Sequence, residues 1–363
     1  MNGFPAKWPD DLAIDYVEMY VDDLAAKAFT WVDRYGFTVV GTGGSAEHRS
    51  VALRHGPVTL VLTAATSDQH PASAFVQTHG DGVADIALRT ADVTAAFEAA
   101  TRQGAAVVRP LARHAGPGPA VKAAIAAFGE VVHTLVQRPP GYGPGLPVGF
   151  APSLAMKAAP AGDIGLLGID HLAICLDTSA LQPTTEFYQR ALGFREVFAE
   201  RVIADAQAME SRVVRSSSGS VTFTRIEPDP EAAPGKVDDF LKNHHGAGVE
   251  HISFVSDDAV RTSWALAGRG VTLLPIPGTY YDSLGRRRQP RSHTVAELRA
   301  ANVLADADAS GELFQLFTLS THPRHTVFFE VIERKGAQTF GRASIRALYE
   351  GLELAVTREP GRL

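Results

Sequence analysis

The chain repeats its own pattern in two halves, and this internal repeat limits the possible folds more than any other feature. Three pairs of segments match between the halves: residues 14–19 with 169–174, 79–86 with 245–252, and 132–138 with 328–334. Self-similarity at matched spacing is typical of a duplicated structural unit. A duplicated fold is therefore the starting point for every later inference.

Each half alternates strand-like and helix-like patterns. The closest matched segments lead into helices predicted at Val93–Arg102 and 259–267, which stop at Gly104 and Gly270. A glycine suits such a stop because the residue after a helix often adopts the left-handed backbone conformation, which a side chain with a Cβ makes unfavourable. Valine-rich, strand-like residues resume directly afterwards. We predict an α+β fold of four strand–helix–strands units, two per domain, with curved sheets that bury one face and can enclose a cavity.

A stretch rich in proline and glycine separates the two halves and reads as a linker. We predict an N-terminal domain over residues 1–138, a linker over 139–164 and a C-terminal domain over 165–363. The chain has 363 residues, which is enough for two domains of ordinary size.

Composition excludes several classes of protein. The hydrophobic fraction of 45% and the charged fraction of 20% are ordinary for a globular protein, and the net charge of −6 favours no nucleic-acid partner. The single cysteine, Cys175, lies in an apolar strand pattern and can form no internal disulfide. No stretch is apolar enough to cross a membrane, and residues 1–11 lack the apolar core of a signal peptide. A cytoplasmic location is the expectation.

The repeat breaks at three strand positions where ligand-type side chains replace other residues. In the second half these positions carry His171, His251 and Glu330. Their counterparts in the first half are Tyr16, Asp85 and Thr134. We therefore expect a metal in the C-terminal domain alone, with the N-terminal domain acting as scaffold or lid.

Taken singly, each of these residues has a simpler interpretation. A lone histidine on an apolar strand is usually a core or rim residue, and Glu330 between Phe329 and Val331 could be a rim carboxylate. Three such residues among large apolar neighbours need partners, since an unpaired buried polar group costs several kcal/mol. Two imidazoles and one carboxylate form the facial triad of non-haem Fe(II) oxygenases, although zinc accepts the same ligands.

Other histidines fit structural roles better than metal ligation. His322 and His325 flank a Pro-Arg pair and are typical of a tight turn between strands. His244 and His245 precede a glycine and predict an exposed helix end. We expect none of the four to bind the metal.

Four segments of the second half resemble the 4-hydroxyphenylpyruvate dioxygenase and 4-hydroxymandelate synthase family, of the vicinal-oxygen-chelate fold. The most specific segments are residues 246–251 (GAGVEH), 313–318 (LFQLFT), 328–334 (FFEVIER) and Phe340-Gly341 leading into a last helix. Residues 302–306 (NVLAD) add to the likeness, which covers nearly the whole chain. The resemblance implies two domains of paired βαβββ modules, glyoxalase-like, with the metal in the second.

The resemblance also implies cofactor and reaction. Fe(II) is held by His171, His251 and Glu330. The substrate is a 2-oxo acid, 4-hydroxyphenylpyruvate, which chelates the iron, and O2 takes the remaining position. Decarboxylation and hydroxylation occur within one molecule, with no catalytic residue beyond the metal ligands.

The substrate pocket follows from the same resemblance. Its polar residues are Ser211, Thr224 and Gln315, which would position the substrate by hydrogen bonds. Its apolar residues are Ile226, Phe317, Phe328, Phe340, Ile345 and Tyr349. The alternative for Phe317 and Phe328 is that they are core residues of their strands.

Three pocket positions bear on the product. Where ring-hydroxylating members usually carry Pro and then Asn, this chain has Thr224 and Ile226, and Ile345 replaces a usual Phe. The resemblance therefore implies benzylic hydroxylation to 4-hydroxymandelate and CO2, as in enzymes that supply peptide-antibiotic biosynthesis. The alternative product is homogentisate, if these changes are only drift. Glu250 and Lys236 stand where the family usually has Gln, and either a mutual ion pair or a changed substrate preference would explain them.

A function of another class stays open, because the fold also serves non-enzymatic small-molecule binders. Such a binder would need no metal triad, and its pocket would lie between paired domains. The sequence carries no signal for the oligomeric state, and a homo-oligomer is suggested by analogy with the fold alone.

Overall fold

The computed structural model describes residues 8–114, 120–139, 146–153, 163–204, 206–287 and 289–341. In that part of the chain the strands are β1 Ala13–Tyr20, β2 Thr38–Gly44, β3 His48–His55, β4 Val58–Ala65, β5 Gly82–Arg89, β6 Val107–His114, β7 Ala120–Phe128, β8 Val131–Gln137, β9 Ala151–Pro152, β10 Gly168–Cys175, β11 Arg195–Ala204, β12 Gln207–Arg215, β13 Thr222–Pro228, β14 Gly248–Val255, β15 Leu304–Ala307, β16 Glu312–Phe317 and β17 Phe328–Lys335. The helices are α1 Leu24–Asp33, α2 Pro71–His79, α3 Val93–Arg102, α4 Leu181–Leu192, α5 Lys236–His244, α6 Ala259–Gly268, α7 Gly278–Arg287 and α8 Val295–Ala300.

The strands form two mixed sheets that share one topology. The first sheet has the order β6-β7-β8-β5-β1-β4-β3-β2-β9, and the second has the order β11-β12-β13-β10-β14-β17-β16-β15. In each sheet two βαβββ modules meet through an antiparallel pair, β1 with β5 and β10 with β14. The repeat seen in the sequence is thus a repeat of modules, and the predicted α+β fold is confirmed.

Local sequence explains why the module helices begin and end where they do. α1, α3 and α6 each start after an aspartate, namely Asp23, Asp92 and Asp258, whose side chain accepts a hydrogen bond from a backbone N–H of the first turn. The predicted stops at Gly104 and Gly270 have φ of +91° and +78°, the left-handed region that glycine tolerates best. The helix predicted at 259–267 ends one residue later, at Gly268.

The two halves pack through a common apolar core. Trp31 of α1 contacts the rings of Phe254 and Phe329 on the second sheet, with centroids 6.3 and 4.7 Å apart. A buried hydrogen bond of 2.9 Å joins Nε2 of His133 in β8 to the hydroxyl of Tyr188 in α4. Phe329 therefore faces the helices, which leaves its strand neighbours to face the concave side of the sheet.

Two parts of the sequence interpretation need comment. β9 lies inside the predicted linker and pairs with β2, so part of that segment belongs to the first sheet. The domain limits themselves stay a prediction. In the described part of the chain, no helix has the length and apolar character needed to cross a membrane.

Candidate metal centre

The three predicted ligands lie on the three central strands of the second sheet. His171 on β10 is directly opposite Ser253 on β14, and Ser253 is opposite Glu330 on β17. Residues opposite one another across strands share a face. His171 and Glu330 therefore flank Ser253, and His251, two residues earlier on β14, lies on the same concave face.

The ligand atoms converge on one point. Nε2 of His171 lies 3.2 Å, and Nε2 of His251 3.6 Å, from Oε2 of Glu330. All three atoms lie within 4.8 Å of one another, and all three residues are buried. Two ligands each about 2.1 Å from one ion at right angles would be about 3 Å apart. The spacing fits a single ion between them.

Two β-bulges aim the histidines. On β10, Ile169 and His171 pair with consecutive residues of β14, which leaves Asp170 as an extra residue; Glu250 is the extra residue on β14. In a regular strand neighbouring side chains face opposite ways, and a bulge removes this alternation. Each bulged acid consequently reaches the Nδ1 of the histidine that follows it, at 2.8 Å for Asp170 and 3.3 Å for Glu250.

These acids decide which ring nitrogen is free. Burial would raise the pKa of Asp170, but hydrogen bonds from Arg334 and His171 outweigh it and hold that pKa well below its usual range. A charged carboxylate accepts the N–H at Nδ1, so in the neutral ring the lone pair lies on Nε2, the nitrogen that faces Glu330. The tautomer favours metal ligation.

The carboxylate of Glu330 lies between the two histidines. Burial would raise its pKa, but the two histidines hold that pKa below its ordinary value, so the carboxylate is charged. Burial would lower the pKa of His251, but the carboxylates of Glu250 and Glu330 raise it to about 9. Oε2 of Glu330 still has no hydrogen-bond partner among the described residues.

The corresponding place in the N-terminal domain is filled by groups that satisfy one another. Asp85, the counterpart of His251, accepts hydrogen bonds from the Thr134 backbone N–H at 2.9 Å, from the Thr134 hydroxyl, and from Arg109 at 3.3 Å. Burial raises the pKa of Asp85 to about 7, and the carboxylate of Glu18 on the opposite strand adds to the shift. The Tyr16, Asp85 and Thr134 positions offer no comparable set of converging lone pairs.

Aromatic rings line the site. The ring of Phe328 lies 4.8 Å and that of Phe317 6.3 Å from the ring of His251, and the ring of Phe340 meets that of His171 at 5.1 Å. Phe317 and Phe328 also belong to the main core cluster. They are therefore core residues that also lie beside His251, and their contact with substrate stays a prediction. Ile345 and Tyr349 lie outside the described residues, as does the predicted last helix.

The predicted polar residues also face this side of the sheet. Thr224 on β13 is opposite Ala173, which is itself opposite His251. Nε2 of Gln315 donates to Oε1 of Glu330 at 2.6 Å. The hydroxyl of Thr224 and Oε1 of Gln315 are buried without a hydrogen-bond partner among the described residues. Buried polar atoms in this state point to a ligand that would complete them.

Ile226 follows Thr224 on β13, and Ser211 lies directly opposite it on β12, one strand further out; both are buried. Ile226 packs in a small apolar cluster made up of Cys175, Val202, Met209, Val237 and Phe240. The surroundings of Ile226 are therefore apolar.

The remaining histidines have structural partners, in part not the ones expected. Nε2 of His322 accepts a hydrogen bond from the backbone N–H of Asp81 at 3.0 Å, and His325 follows in the same turn. The prediction of an exposed helix end was wrong for His244, which is buried and stacks on His79 with ring centroids 4.4 Å apart. The helix does end at His244, and His245 is exposed and takes the left-handed C-cap.

A second group of ligand-type residues, Asp258, His293 and Glu333, already has other partners. Glu333 accepts hydrogen bonds from the backbone N–H of Ala259 and from His293, and the Lys335 ammonium lies 2.9 Å from its other oxygen. Asp258 caps α6. The charge of Glu333 is therefore paired with a lysine, unlike that of Glu330.

Sequence reasoning missed Asp170, Arg334 and Ser253. A signal existed for the first two, because Asp15 precedes the counterpart of His171 and Arg138 matches Arg334 in the repeat. For Glu250 the expected alternatives included an ion pair with Lys236. The structure shows Glu250 beside His251, whereas the Lys236 ammonium lies 3.7 Å from Asp239.

Known proteins resemble this chain over almost its whole length. The profile of the Glyoxalase/Bleomycin resistance protein/Dioxygenase superfamily matches residues 13–121 and 168–316. A 4-hydroxyphenylpyruvate dioxygenase from Aspergillus fumigatus is 30% identical, over 93% of this chain and 91% of the relative. A second, from Yarrowia lipolytica, is 28% identical with the same coverage. A solved structure, a triple-substitution variant of 4-hydroxymandelate synthase from Streptomyces coelicolor, is 37% identical with a TM-score of 0.87, and the match covers 97% of this chain and all of that one.

Proposed function

Because this chain belongs to the 4-hydroxyphenylpyruvate dioxygenase family, within the glyoxalase/bleomycin resistance protein/dioxygenase superfamily, we propose that it converts 4-hydroxyphenylpyruvate and O2 to 4-hydroxymandelate and CO2 with one Fe(II). The chain is an enzyme of the dioxygenase class. The residues around its candidate metal centre support the metal, the substrate and the product in turn.

The donor set fits Fe(II). His171, His251 and Glu330 bring two Nε2 atoms and one carboxylate oxygen to one buried point, and the orphaned Oε2 of Glu330 needs a cation. Three protein ligands leave positions for substrate and O2. When bound there, Fe(II) would accept the carboxylate and keto oxygens of a 2-oxo acid and would activate O2. The N-terminal domain, whose equivalent position is internally satisfied, should bind none.

The protein side chains would orient the substrate and exclude water. Phe317, Phe328 and Phe340 surround the ligand histidines with apolar surface, which matches an aromatic ring. Thr224 can donate or accept through its orphaned hydroxyl. Oε1 of Gln315 can only accept, and the phenolic O–H of the substrate, or a water that it orders, is a donor of that kind.

The observation that most supports 4-hydroxymandelate as the product is the apolar environment of Ile226. An asparagine at this place could hold the phenol or a water near the ring, whereas Ile226 packs against other apolar side chains. A displacement of about 1 Å at the reacting carbon can change rates roughly a hundredfold. A few substitutions in the pocket can produce such a displacement. Those at Thr224 and Ile226 would place the benzylic carbon, instead of the ring, nearest the reacting oxygen. The identity of 37% to the 4-hydroxymandelate synthase structure supports the same product.

The direct test supplies Fe(II), O2 and 4-hydroxyphenylpyruvate to the purified protein and identifies the products by chromatography. We expect 4-hydroxymandelate and one CO2 per turnover. Predominant homogentisate would overturn the product and leave the metal site standing. No turnover and no visible band from a 2-oxo acid on anaerobic Fe(II) protein, together with tight binding of an unrelated ligand, would favour a binding protein.

A further inference from the structure

The chain contains the same ion pair twice, once in each domain, and it is buried in the first domain and half-buried in the second. In the N-terminal domain Arg138 donates to both oxygens of Asp15, at 3.1 and 2.5 Å. In the C-terminal domain Arg334 donates to both oxygens of Asp170, at 2.7 and 2.9 Å. Both aspartates are the extra residue of a bulge at the same place in the module. The ion pair is therefore part of the repeated module.

Only the second copy has a contact to a ligand residue. Asp170 accepts from Nδ1 of His171 at 2.8 Å in addition to its two bonds from Arg334. The residue that follows Asp15 is Tyr16, which offers no ring N–H to its neighbour. The first copy thus shows what the pair does for folding alone, and the second adds the orientation of His171.

Arg334 also contacts residues 337–340, the segment that carries Phe340 and that we call the pocket wall. Its NH1 nitrogen donates to the carbonyl oxygens of Ala337 and Thr339, at 3.3 and 2.7 Å. Its guanidinium carbon lies 4.9 Å from the centre of the Phe340 ring. That ring in turn stands edge-on to His171. Arg334 therefore joins the carboxylate behind a metal ligand to the backbone that carries the wall.

We propose that Asp170 and Arg334 are positioning residues that couple the orientation of His171 to the seating of residues 337–340, so that binding the metal and closing the pocket wall are one event. This proposal rests on the proposed metal site. The contacts form a closed ring from His171 through Asp170, Arg334 and Phe340 back to His171. An ion that fixes His171 therefore also favours the seated segment, and the converse holds by linkage.

The first measurement is metal affinity without turnover. Mn(II) is titrated into metal-free protein under argon, and the free ion is followed by electron paramagnetic resonance. Losing the partner behind a ligating histidine typically weakens metal binding about 10- to 100-fold. We expect that loss for Asp170→Asn, whereas the matched variant Asp15→Asn should bind Mn(II) as the unmodified protein does. Equal affinity in the two variants would overturn the role of Asp170.

The second measurement reports on the segment. Hydrogen–deuterium exchange of the peptide spanning residues 335–341 is compared with and without Mn(II). We expect the ion to slow exchange there in the unmodified protein and in Asp15→Asn. Arg334→Lys keeps the charge but loses the guanidinium, which donates to Asp170 and to two carbonyl oxygens at the same time. In this variant the ion should leave the exchange of residues 335–341 unchanged. This variant also keeps the test decisive if Asp170→Asn does not fold.

The two hypotheses fail differently. If the unmodified protein binds no Mn(II) and no Fe(II), the metal site itself is wrong. If it binds Mn(II) tightly but the segment exchanges at the same rate with and without the ion, the metal site stands and the coupling is refuted. Slowed exchange that persists in Arg334→Lys would assign the coupling to a route other than Arg334.

Discussion

Gln315 offers the sharpest test of how the pocket holds its substrate, because its two amide atoms have opposite situations. Nε2 donates to Oε1 of Glu330 at 2.6 Å, while Oε1 is buried with no partner among the described residues. We predict that Gln315→Leu, a replacement of similar size, leaves stability nearly unchanged but lowers kcat/KM about ten- to hundredfold.

The magnitude follows from those two atoms. Losing a hydrogen bond to a charged carboxylate costs about 1.5–3 kcal/mol, and removing a buried, unpaired carbonyl oxygen returns about 1–3 kcal/mol. The two effects on the free energy of unfolding nearly cancel. Losing the bond that Oε1 would make to bound substrate has no such compensation, because it leaves a buried phenolic O–H unpaired at a cost of about 1–3 kcal/mol. A loss of that size in the transition state is about one to two decades in rate.

The assay combines kcat/KM for 4-hydroxyphenylpyruvate with iron content and urea unfolding of the same samples. The matched control is Gln182→Leu, the same chemical change at an exposed glutamine of α4 that also donates to a carboxylate, that of Glu186, and it should change none of the three. Full activity in Gln315→Leu with normal iron would refute the proposed contact. Loss of iron in that variant would instead assign Gln315 to holding Glu330.

Three further predictions concern metal, product and pH. His251→Ala should lose iron and turnover together while His325→Asn keeps both, as measured by metal analysis and O2 uptake; iron retained in His251→Ala would refute the ligand set. Ile226→Asn should move part of the product from 4-hydroxymandelate toward homogentisate in chromatography, and an unchanged ratio would place selectivity elsewhere. Burial lowers the pKa of His133 to about 4, so the folded state favours the neutral ring that accepts from Tyr188. Stability should therefore fall by up to about 3 kcal/mol as pH drops from about 6.5 to 4, and His133→Gln should lose less in urea unfolding at both pH values.

The sequence was informative wherever its signal is periodic or local. The repeat and the helix stops at Gly104 and Gly270 depend on neighbouring residues, and the structure agrees with them. The sequence also predicted that His171, His251 and Glu330 act together, and the structure brings their ligand atoms within 4.8 Å of one another. His244 shows the limit, since its burial comes from stacking on His79, which lies 165 residues away.

What the sequence by itself determined is the modular fold, the half of the chain that carries the candidate metal ligands, and the family. What only the tertiary structure decided is how those side chains are oriented. The bulges at Asp170 and Glu250 turn each acid toward the histidine beside it, and Arg334 joins one of them to the pocket wall. A bulge is a property of two paired strands, and the Arg334 contact joins residues 164 positions apart. Neither the bulges nor the Arg334 contact changes the hydrophobic periodicity of a single strand. The orientation of the ligands could therefore be explained only from the pairing of strands in the sheet.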